Sequence, residues 1–291
     1  MELVNLGHVF VAFWNVAGSQ KISVQKKLWR ELYVQPHEEV ITYYETLFPS
    51  PEPLEVSLRR LAAITNIIGT LANETETILE EAVKVCRVRL NAPNLQTKHV
   101  AFVGRFTANA WTEVLNEVPT CFYALEMFSN KRSLLSTVVH ETTHVFHREL
   151  SDVTSRPLTV AARLVMEGLA VELATPFTPG LTKAQRLWGG QEVTLDGQDV
   201  ETWLAQCEEN HGYIVQHVLS DIDSTKNATK ERYFGINPAH LLDGIPMRAG
   251  YYVAHCLFEQ LSERYRIADL ARFSRERARG EIRRGLIQMS S

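Results

Sequence analysis

Residues 131–150 read KRSLLSTVVHETTHVFHREL, an apolar segment that runs into a polar one. The apolar run from Leu134 to Val139 predicts a helix over 131–150 that buries one face. Either Asn130 or Ser133 can cap its first turn. The same helix then places His, Glu and Thr side chains at its centre, where a core helix normally has apolar ones. A local violation of this kind is typical of a functional site.

The polar centre is His140-Glu141-Thr142-Thr143-His144. Histidines four residues apart lie on one helix face, so His140 and His144 can bind a single metal ion. Glu141 is about 100° round the helix from His140, within reach of a water on that ion. Zinc acidifies such a water, and a carboxylate can remove its proton during attack on a carbonyl. The motif therefore predicts zinc as cofactor, the two histidines as ligands and Glu141 as general base. The alternative is a helix with two ordinary histidines.

A third ligand has to come from another segment, because Leu150 stands where the long form of this motif needs a histidine. Glu167 lies in RLVMEGLAVELA, residues 163–174, which is apolar nearly all round and predicts a buried helix. A lone buried carboxylate is costly unless it is paired or bound to metal. Glu167 is therefore the predicted third ligand. An ion pair with Arg163 and a ligand role for Glu172 are the alternatives.

Two further features accompany these candidate ligands. His147 could approach the ion as well, although three imidazoles from one helix would crowd it. Gly168 is expected to let the Glu167 helix approach the helix of the histidines closely.

Three short segments together resemble a known group of proteins: HETTH at 140–144, EGLA at 167–170 and GYY at 250–252. The arrangement is similar to that of the gluzincin zinc metallopeptidases. The residues of these segments are more similar still to those of a bacterial family of predicted zinc-dependent proteases, known only as a domain of unknown function. The resemblance runs from about Trp29 to the C-terminus, and it implies peptidase activity without naming a substrate.

The resemblance implies roles for particular residues. It makes His140, His144 and Glu167 zinc ligands and Glu141 the catalytic base. It also implies that an edge strand of the sheet, expected at Thr120–Phe128, lines the cleft and pairs with an extended peptide.

The resemblance further implies a Tyr or His that stabilises the oxyanion downstream of the glutamate ligand. A tyrosine hydroxyl suits this role because it is a neutral donor at pH 7. Tyr251 directly follows Gly250 at the start of a predicted helix, and it is chosen as a catalytic residue over Tyr252. Packing of both rings into the core is the alternative. The outside candidates are His211, His217, His240 and His255.

The predicted fold class is α+β, mostly helical and gluzincin-like, with a small sheet before the HExxH helix. Strands are expected at His99–Phe106 and Thr120–Phe128, and Pro157 is expected in the first turn of the Glu167 helix. A Pro/Gly-rich stretch, 175–190, suggests two parts. Residues 1–174 would hold the sheet and the zinc-binding helices, and residues 175–291 would be a helical part that closes the cleft. One continuous domain is also compatible with the sequence.

Later helical patterns cover Val200–Ile222, Gly250–Tyr265 and Ala268–Leu286, and 223–249 is expected to be irregular.

Composition limits the possible partners. The chain has 291 residues and a formal net charge of -4, which argues against nucleic acid and against anionic membranes. Its four cysteines include no CxxC pair, so they predict free, mostly buried thiols. The N-terminus has no basic signal region and no membrane-length apolar run, which predicts a cytoplasmic protein. The oligomeric state stays open.

Three functions compete. The first is a zinc metallopeptidase that acts on peptides or proteins. The second is a zinc hydrolase of another amide or ester, because the same site polarises any carbonyl. The third is a non-catalytic helical interaction protein in which HETTH is vestigial.

Overall fold

We analysed a computed structural model of the chain. It describes residues 1–115, 117–194, 197–236 and 238–290. The protein is mostly helical, at 65%, and has one small mixed sheet of four strands, so it belongs to the predicted α+β class. The chain forms two compact units, which are described separately. Unit 1 comprises Met1–Ala82 and Leu95–Glu141, and unit 2 comprises Val83–Asn94 and Thr142–Ser291. The division into 1–174 and 175–291 stays a prediction.

Helices account for most of the described chain. The α-helices are α1 (Gly7–Ala17), α2 (Ile22–Leu28), α3 (Glu38–Leu47), α4 (Leu54–Arg89), α5 (Lys131–Leu150), α6 (Val160–Ala174), α7 (Lys183–Leu187), α8 (Val200–Glu209), α9 (His211–Ser220), α10 (Asn227–Phe234), α11 (Ala249–Ser262), α12 (Ile267–Leu270) and α13 (Arg275–Met289). A π-helix spans Trp29–Val34, and short 3-10 helices span Gln35–His37, Leu125–Met127, Asp152–Thr154, Thr175–Phe177 and Pro238–His240.

The sheet belongs to unit 1 and precedes α5 in the sequence, as predicted. Its strands are β1 (Glu2–Asn5), β2 (Lys98–Phe102), β3 (Ala110–Leu115) and β4 (Val118–Ala124), in the order β1-β2-β4-β3. Strands β1, β2 and β4 run parallel, and β3 is antiparallel to β4.

The prediction that Thr120–Phe128 is an edge strand is wrong, because β4 lies between β2 and β3. The edges of the sheet are β1 and β3. Neither edge was predicted as a strand. β1 is only four residues long, and β3 has two polar residues at its centre, apolar pairs at both ends and no fully buried residue.

Aromatic side chains build the core of unit 1. Trp111 on β3 stacks on Phe122 of β4, with ring centroids 4.6 Å apart. Tyr33 is fully buried, and its hydroxyl donates to the Val103 carbonyl at 3.0 Å and accepts from the Val103 N–H at 2.6 Å. A buried tyrosine needs such partners, and this pair ties the π-helix to the chain that leaves β2.

The helix of the HETTH motif begins and ends where the sequence predicts. The Asn130 side chain accepts hydrogen bonds from the N–H groups of Arg132 and Ser133, at 2.9 and 3.1 Å, and so caps α5. The Ser133 hydroxyl donates back to the Asn130 carbonyl at 2.8 Å. Both predicted capping residues therefore contribute, Asn130 as the acceptor.

The α6 helix ends at Ala174, before Pro176, as predicted, but its start differs. Thr159 is the N-cap and accepts from the Ala162 N–H at 3.1 Å, so Pro157 lies ahead of the helix and not in its first turn. A threonine hydroxyl satisfies an N–H of the first turn, whereas proline only removes one.

The close approach at Gly168 is made to α11. A Cβ at Gly168 would lie 2.2 Å from the Phe258 ring and 2.9 Å from the Ala254 carbonyl oxygen. The glycine therefore lets α6 and α11 pack backbone to backbone within unit 2. The prediction that Gly168 packs against the helix of the histidines is therefore wrong.

Three segments differ from their predicted structure. Residues 200–222 form two helices, α8 and α9, because the helical conformation is interrupted at Asn210. Residues 223–249, expected to be irregular, contain α10. The helix predicted over 268–286 is divided into α12 and α13, and Ser274 caps the second.

The cysteines are free, as predicted. Cys86, Cys121 and Cys207 are buried, and Cys256 is half-buried. Within the described ranges, none of the helices has both the length and the apolar character that a membrane crossing requires.

Unit 1 also holds a buried acid that the sequence did not single out. Glu126 follows β4 and accepts hydrogen bonds from the N–H groups of Gly104 (2.8 Å) and Phe106 (3.1 Å). Burial raises the pKa of Glu126 to about 7, although these hydrogen bonds favour its charged form.

We predict that Glu126 makes unit 1 less stable at higher pH. From its ordinary pKa of 4.5 up to about 7, folded Glu126 keeps a proton that the unfolded chain has lost. Its stabilising contribution is therefore complete below pH 4.5 and is lost as pH rises through about 7. We measure the free energy of unfolding in urea for wild type and Glu126→Gln. The variant's free energy of unfolding minus that of wild type should be larger at pH 7.5 than at pH 5. The exposed Glu76→Gln is the control. Parallel pH profiles for wild type and Glu126→Gln would contradict the assignment.

Candidate metal centre

The centre of α5 brings three potential ligands together. His140, Glu141 and His144 each offer one ligand atom, and these atoms all lie within 4.8 Å of one another. Among the described residues, this is the group of His, Cys, Asp and Glu side chains that could hold an ion. Both histidines are half-buried, so the group is sheltered but reachable from solvent. The predicted shared helix face is confirmed.

A hydrogen bond from the sheet holds the Glu141 carboxylate. Thr112 on β3 donates from its hydroxyl to Oε2 of Glu141 at 2.8 Å, within unit 1. The same hydroxyl is 3.6 Å from the Cys121 sulfur on β4. Burial and, to a smaller extent, the negative charge of Glu141 raise the pKa of the Cys121 thiol to about 12. Cys121 is thus a neutral thiol beside the carboxylate.

The carboxylate of Glu167 has two partners in unit 2. Its Oε2 lies 3.4 Å from Nε2 of His144, and its Oε1 lies 3.1 Å from Nη2 of Arg163. Only 1% of Glu167 is exposed, so these partners provide what water would otherwise provide. The predicted ion pair with Arg163 is present. Arg163 contacts Oε1 of Glu167, whereas Oε2 faces His144. The ion pair is therefore compatible with a ligand role for Glu167.

The donor set fits zinc. Zinc binds imidazole nitrogen and carboxylate oxygen at about 2.0–2.2 Å with tetrahedral geometry, so two of its ligand atoms lie roughly 3.3–3.5 Å apart. The separation of 3.4 Å between His144 Nε2 and Glu167 Oε2 has this value.

The other two candidate ligands are placed differently. His147 is fully buried, and neither of its ring nitrogens has a hydrogen-bond partner within the described ranges. Burial and, to a smaller extent, the neighbouring His144 lower the pKa of His147 to about 3, so the ring is neutral. Glu172 is half-buried, and burial raises its pKa, with Arg89 opposing the shift and Glu259 adding to it. Neither residue is in the group on α5, and Glu167, which contacts His144 of that group, is not in it either.

The two tyrosines at the start of α11 have different surroundings. Tyr252 is buried, and its hydroxyl lies 2.9 Å from Nδ1 of His211. Tyr251 is half-buried, with the guanidinium of Arg248 4.2 Å from its ring centroid. The Phe234 ring packs edge-on against Tyr251 at 5.9 Å. Core packing therefore describes Tyr252 well, while Tyr251 keeps partial access to solvent.

The histidines that were outside candidates belong to unit 2. His211 contacts Tyr252, and the ring of His217 packs against Tyr213 at 4.4 Å. Nε2 of His255 lies 3.4 Å from Glu259. His240 lies in a 3-10 helix after α10.

The hydrogen bond between Thr112 and Glu141 could not be predicted from the spacing of residues in the sequence. Thr112 is 29 residues from Glu141, and its strand was not recognised. The sequence signal in AWTEVL at 110–115 is weak, because its apolar and polar residues do not alternate and only Trp, Thr and Val favour a strand.

A two-histidine motif with an intervening glutamate is typical of zinc hydrolases. The chain matches a family model over residues 116–276, more than half of its length, and the family is described as "Predicted Zn-dependent protease (DUF2268)". The chain therefore belongs to this family, as the sequence resemblance indicated. The match includes His140, Glu141, His144, Glu167 and Tyr251, and it begins well after Trp29. No curated protein and no solved structure matches the chain significantly.

We predict one zinc ion per chain, which competition with a chromophoric chelator can measure. Loss of an outer hydrogen-bond partner weakens zinc binding by roughly 10- to 100-fold, and loss of a ligand weakens it more. Arg163→Ala should therefore have the smaller effect, and His140→Ala, His144→Ala and Glu167→Ala the larger one. His8→Ala, at an exposed histidine of α1, should change nothing.

The ion-pair interpretation makes a different prediction. If Arg163→Ala and Glu167→Ala destabilise the protein equally while both retain zinc, Glu167 serves only to pair with Arg163.

Proposed function

We propose that the protein is a zinc-dependent metallopeptidase that hydrolyses peptide bonds, with a gluzincin-like site. The observation that carries this proposal is the convergence of His140, Glu141 and His144 on α5, in a chain of a zinc-protease family. In this proposal His140, His144 and Glu167 hold the metal. Bound zinc would supply a Lewis acid that acidifies water and polarises a carbonyl.

Glu141 acts as general base. Its carboxylate accepts the proton of the attacking water and then delivers that proton to the leaving amine. The Thr112 hydroxyl occupies one lone pair of Oε2, which fixes the plane of the carboxylate. Thr112 is therefore a positioning residue, since it acts through Glu141.

Glu167 completes the ligand set with a negative charge. Arg163 holds its other oxygen, and this fixes the orientation of the carboxylate towards His144. The charge of Arg163 also lowers the cost of burying Glu167 on an apolar helix.

Tyr251 donates a hydrogen bond from its hydroxyl to the oxygen that becomes negative when water adds to the carbonyl. Its partial exposure supports this choice over Tyr252, which is buried. Arg248 lies over the Tyr251 ring and holds it in place.

Edge strand β3 binds the substrate backbone. An extended peptide can add to the free edge of a sheet through main-chain hydrogen bonds. Strand β3 is such an edge, and it also carries Thr112, which contacts the proposed base. This favours a peptide over a small ester as substrate.

We predict that Glu141→Gln retains zinc and its melting temperature but loses turnover. General-base catalysis contributes about 100- to 10,000-fold, so kcat should fall by that factor. The matched control is Glu149→Gln, on the exposed face of the same helix, which should keep full activity. A peptide-library digest followed by mass spectrometry measures the cleavage.

Three outcomes of this experiment would argue for other functions. Loss of zinc in Glu141→Gln would make Glu141 a ligand. Cleavage of esters or non-peptide amides without cleavage of any peptide would favour the broader zinc hydrolase. Absence of zinc binding in wild type would favour the non-catalytic interaction protein.

We predict that Tyr251→Phe lowers kcat by roughly 10- to 1,000-fold, the effect of one lost oxyanion donor. Zinc content and melting temperature should stay unchanged, because only a hydroxyl is removed. Tyr252→Phe is the control, and it should cost stability through its lost bond to His211 while keeping turnover. The reverse pattern would assign the role to Tyr252, and full activity in both variants would return it to the histidines.

A further inference from the structure

A cavity in unit 2 adjoins the proposed ligand Glu167. Its volume is about 560 Å³, and its walls include Arg156, Arg163, Lys230, Glu231 and Phe234. Arg163 belongs to both places, since its guanidinium also contacts Glu167 at 3.1 Å. The cavity therefore lies one side chain away from the carboxylate that faces His144.

Positive charge dominates the cavity wall. Three cationic side chains face it, against the single carboxylate of Glu231. The Glu167 carboxylate neutralises part of the charge of Arg163. The two remaining cations, Arg156 and Lys230, still outnumber the one acid of the wall, Glu231. Lys230 also donates to the Leu158 carbonyl at 3.2 Å, a neutral acceptor that does not cancel its charge.

The cations also perturb one another. Burial lowers the pKa of Lys230, and the positive charges of Arg163 and Arg156 lower it further, while Glu231 only partly opposes them. Like charges that line one cavity repel one another unless an anion enters it. An anionic ligand would remove this repulsion.

The remaining wall suits an organic anion. The Phe234 ring lies under the guanidinium of Arg163, with its centroid 5.4 Å from the central carbon. Phe234 also packs on Tyr251, the proposed oxyanion donor. The cavity thus combines an apolar surface for methylene groups with cations for a charged end.

We propose that this cavity is a substrate subsite that binds a carboxylate, held by Lys230, Arg156 and Arg163, and that it gives the enzyme a preference for acidic peptides. The inference rests on the proposed function, because it identifies the substrate class of that site. The carboxylate can come from an acidic side chain or from the C-terminus of the peptide. Both sources offer the same charge-assisted hydrogen bonds.

Binding, measured without turnover, tests the subsite separately from catalysis. Three pentapeptides are titrated calorimetrically into the Glu141→Gln protein. The first is acetyl-Ala-Ala-Glu-Ala-Ala-amide, the second has Gln in place of Glu, and the third has Gln and a free C-terminus. We expect the Glu peptide, the free-acid peptide or both to bind at least about tenfold more tightly than the neutral peptide. Tighter binding of the Glu peptide would identify an acidic side chain as the source of the carboxylate, and tighter binding of the free-acid peptide would identify the C-terminus.

Charge variants of the cavity give the decisive comparison. Lys230→Gln should weaken the favoured acidic peptide by about tenfold and the neutral peptide by less than twofold. Glu231→Gln should tighten the acidic peptide, a change that partial unfolding cannot produce. The matched control is Lys226→Gln, an exposed lysine outside the cavity wall, which should leave all three affinities unchanged.

Several results would overturn the subsite. One is equal affinity for the acidic and neutral peptides. Another is an equal loss in Lys226→Gln and Lys230→Gln, which would reflect only overall charge. A third is binding of inorganic phosphate at this cavity with no preference among the peptides. If the preference holds but wild type cleaves none of these peptides or a peptide library, the subsite stands and the proposed peptidase function fails.

Discussion

The buried carboxylate of Glu167 is the constraint on which the candidate site depends. Burial of an unpaired carboxylate in an apolar helix is too costly to persist, so its two oxygens need partners on opposite sides. Arg163 provides one partner from the same helix, and His144 provides the other from α5. Because the partners act on different oxygens, the carboxylate is held in a fixed orientation. Gly168, the next residue, lets α6 pack directly on α11, which keeps Glu167 away from water.

The parts of the fold that the sequence predicts are those fixed by local chemistry. Helix α5 has apolar periodicity, a capping asparagine and a polar loop after it, so its bounds follow from residues 130–151 alone. The end of α6 follows from Pro176. The sheet order does not follow, because it depends on pairing between distant segments. Residue types cannot show that β3 crosses to the far side of β4, and the edge strand was therefore assigned wrongly.

The candidate site divides in the same way. The shared face of His140 and His144 is a property of one helix, so spacing is sufficient to predict it. The pairing of Glu167 with Arg163 is also local, at i and i+4. The Thr112–Glu141 bond and the separate environments of Tyr251 and Tyr252 depend on tertiary packing. A sequence can propose a hydroxyl for such a role, but only packing determines which ring is buried and which is partly exposed.

Arg163 links the two proposed sites, and its chemistry explains why an arginine suits the position. A guanidinium carries five N–H donors in a rigid plane, so one cation can hold a carboxylate and still face a cavity. A lysine at the same position would act as a single point charge and would have to choose between Glu167 and a ligand. The Phe234 ring under the guanidinium limits its rotation. If both proposals hold, orientation of the Glu167 carboxylate and recognition of an anion depend on the same side chain, which would couple metal binding to the charge of the substrate.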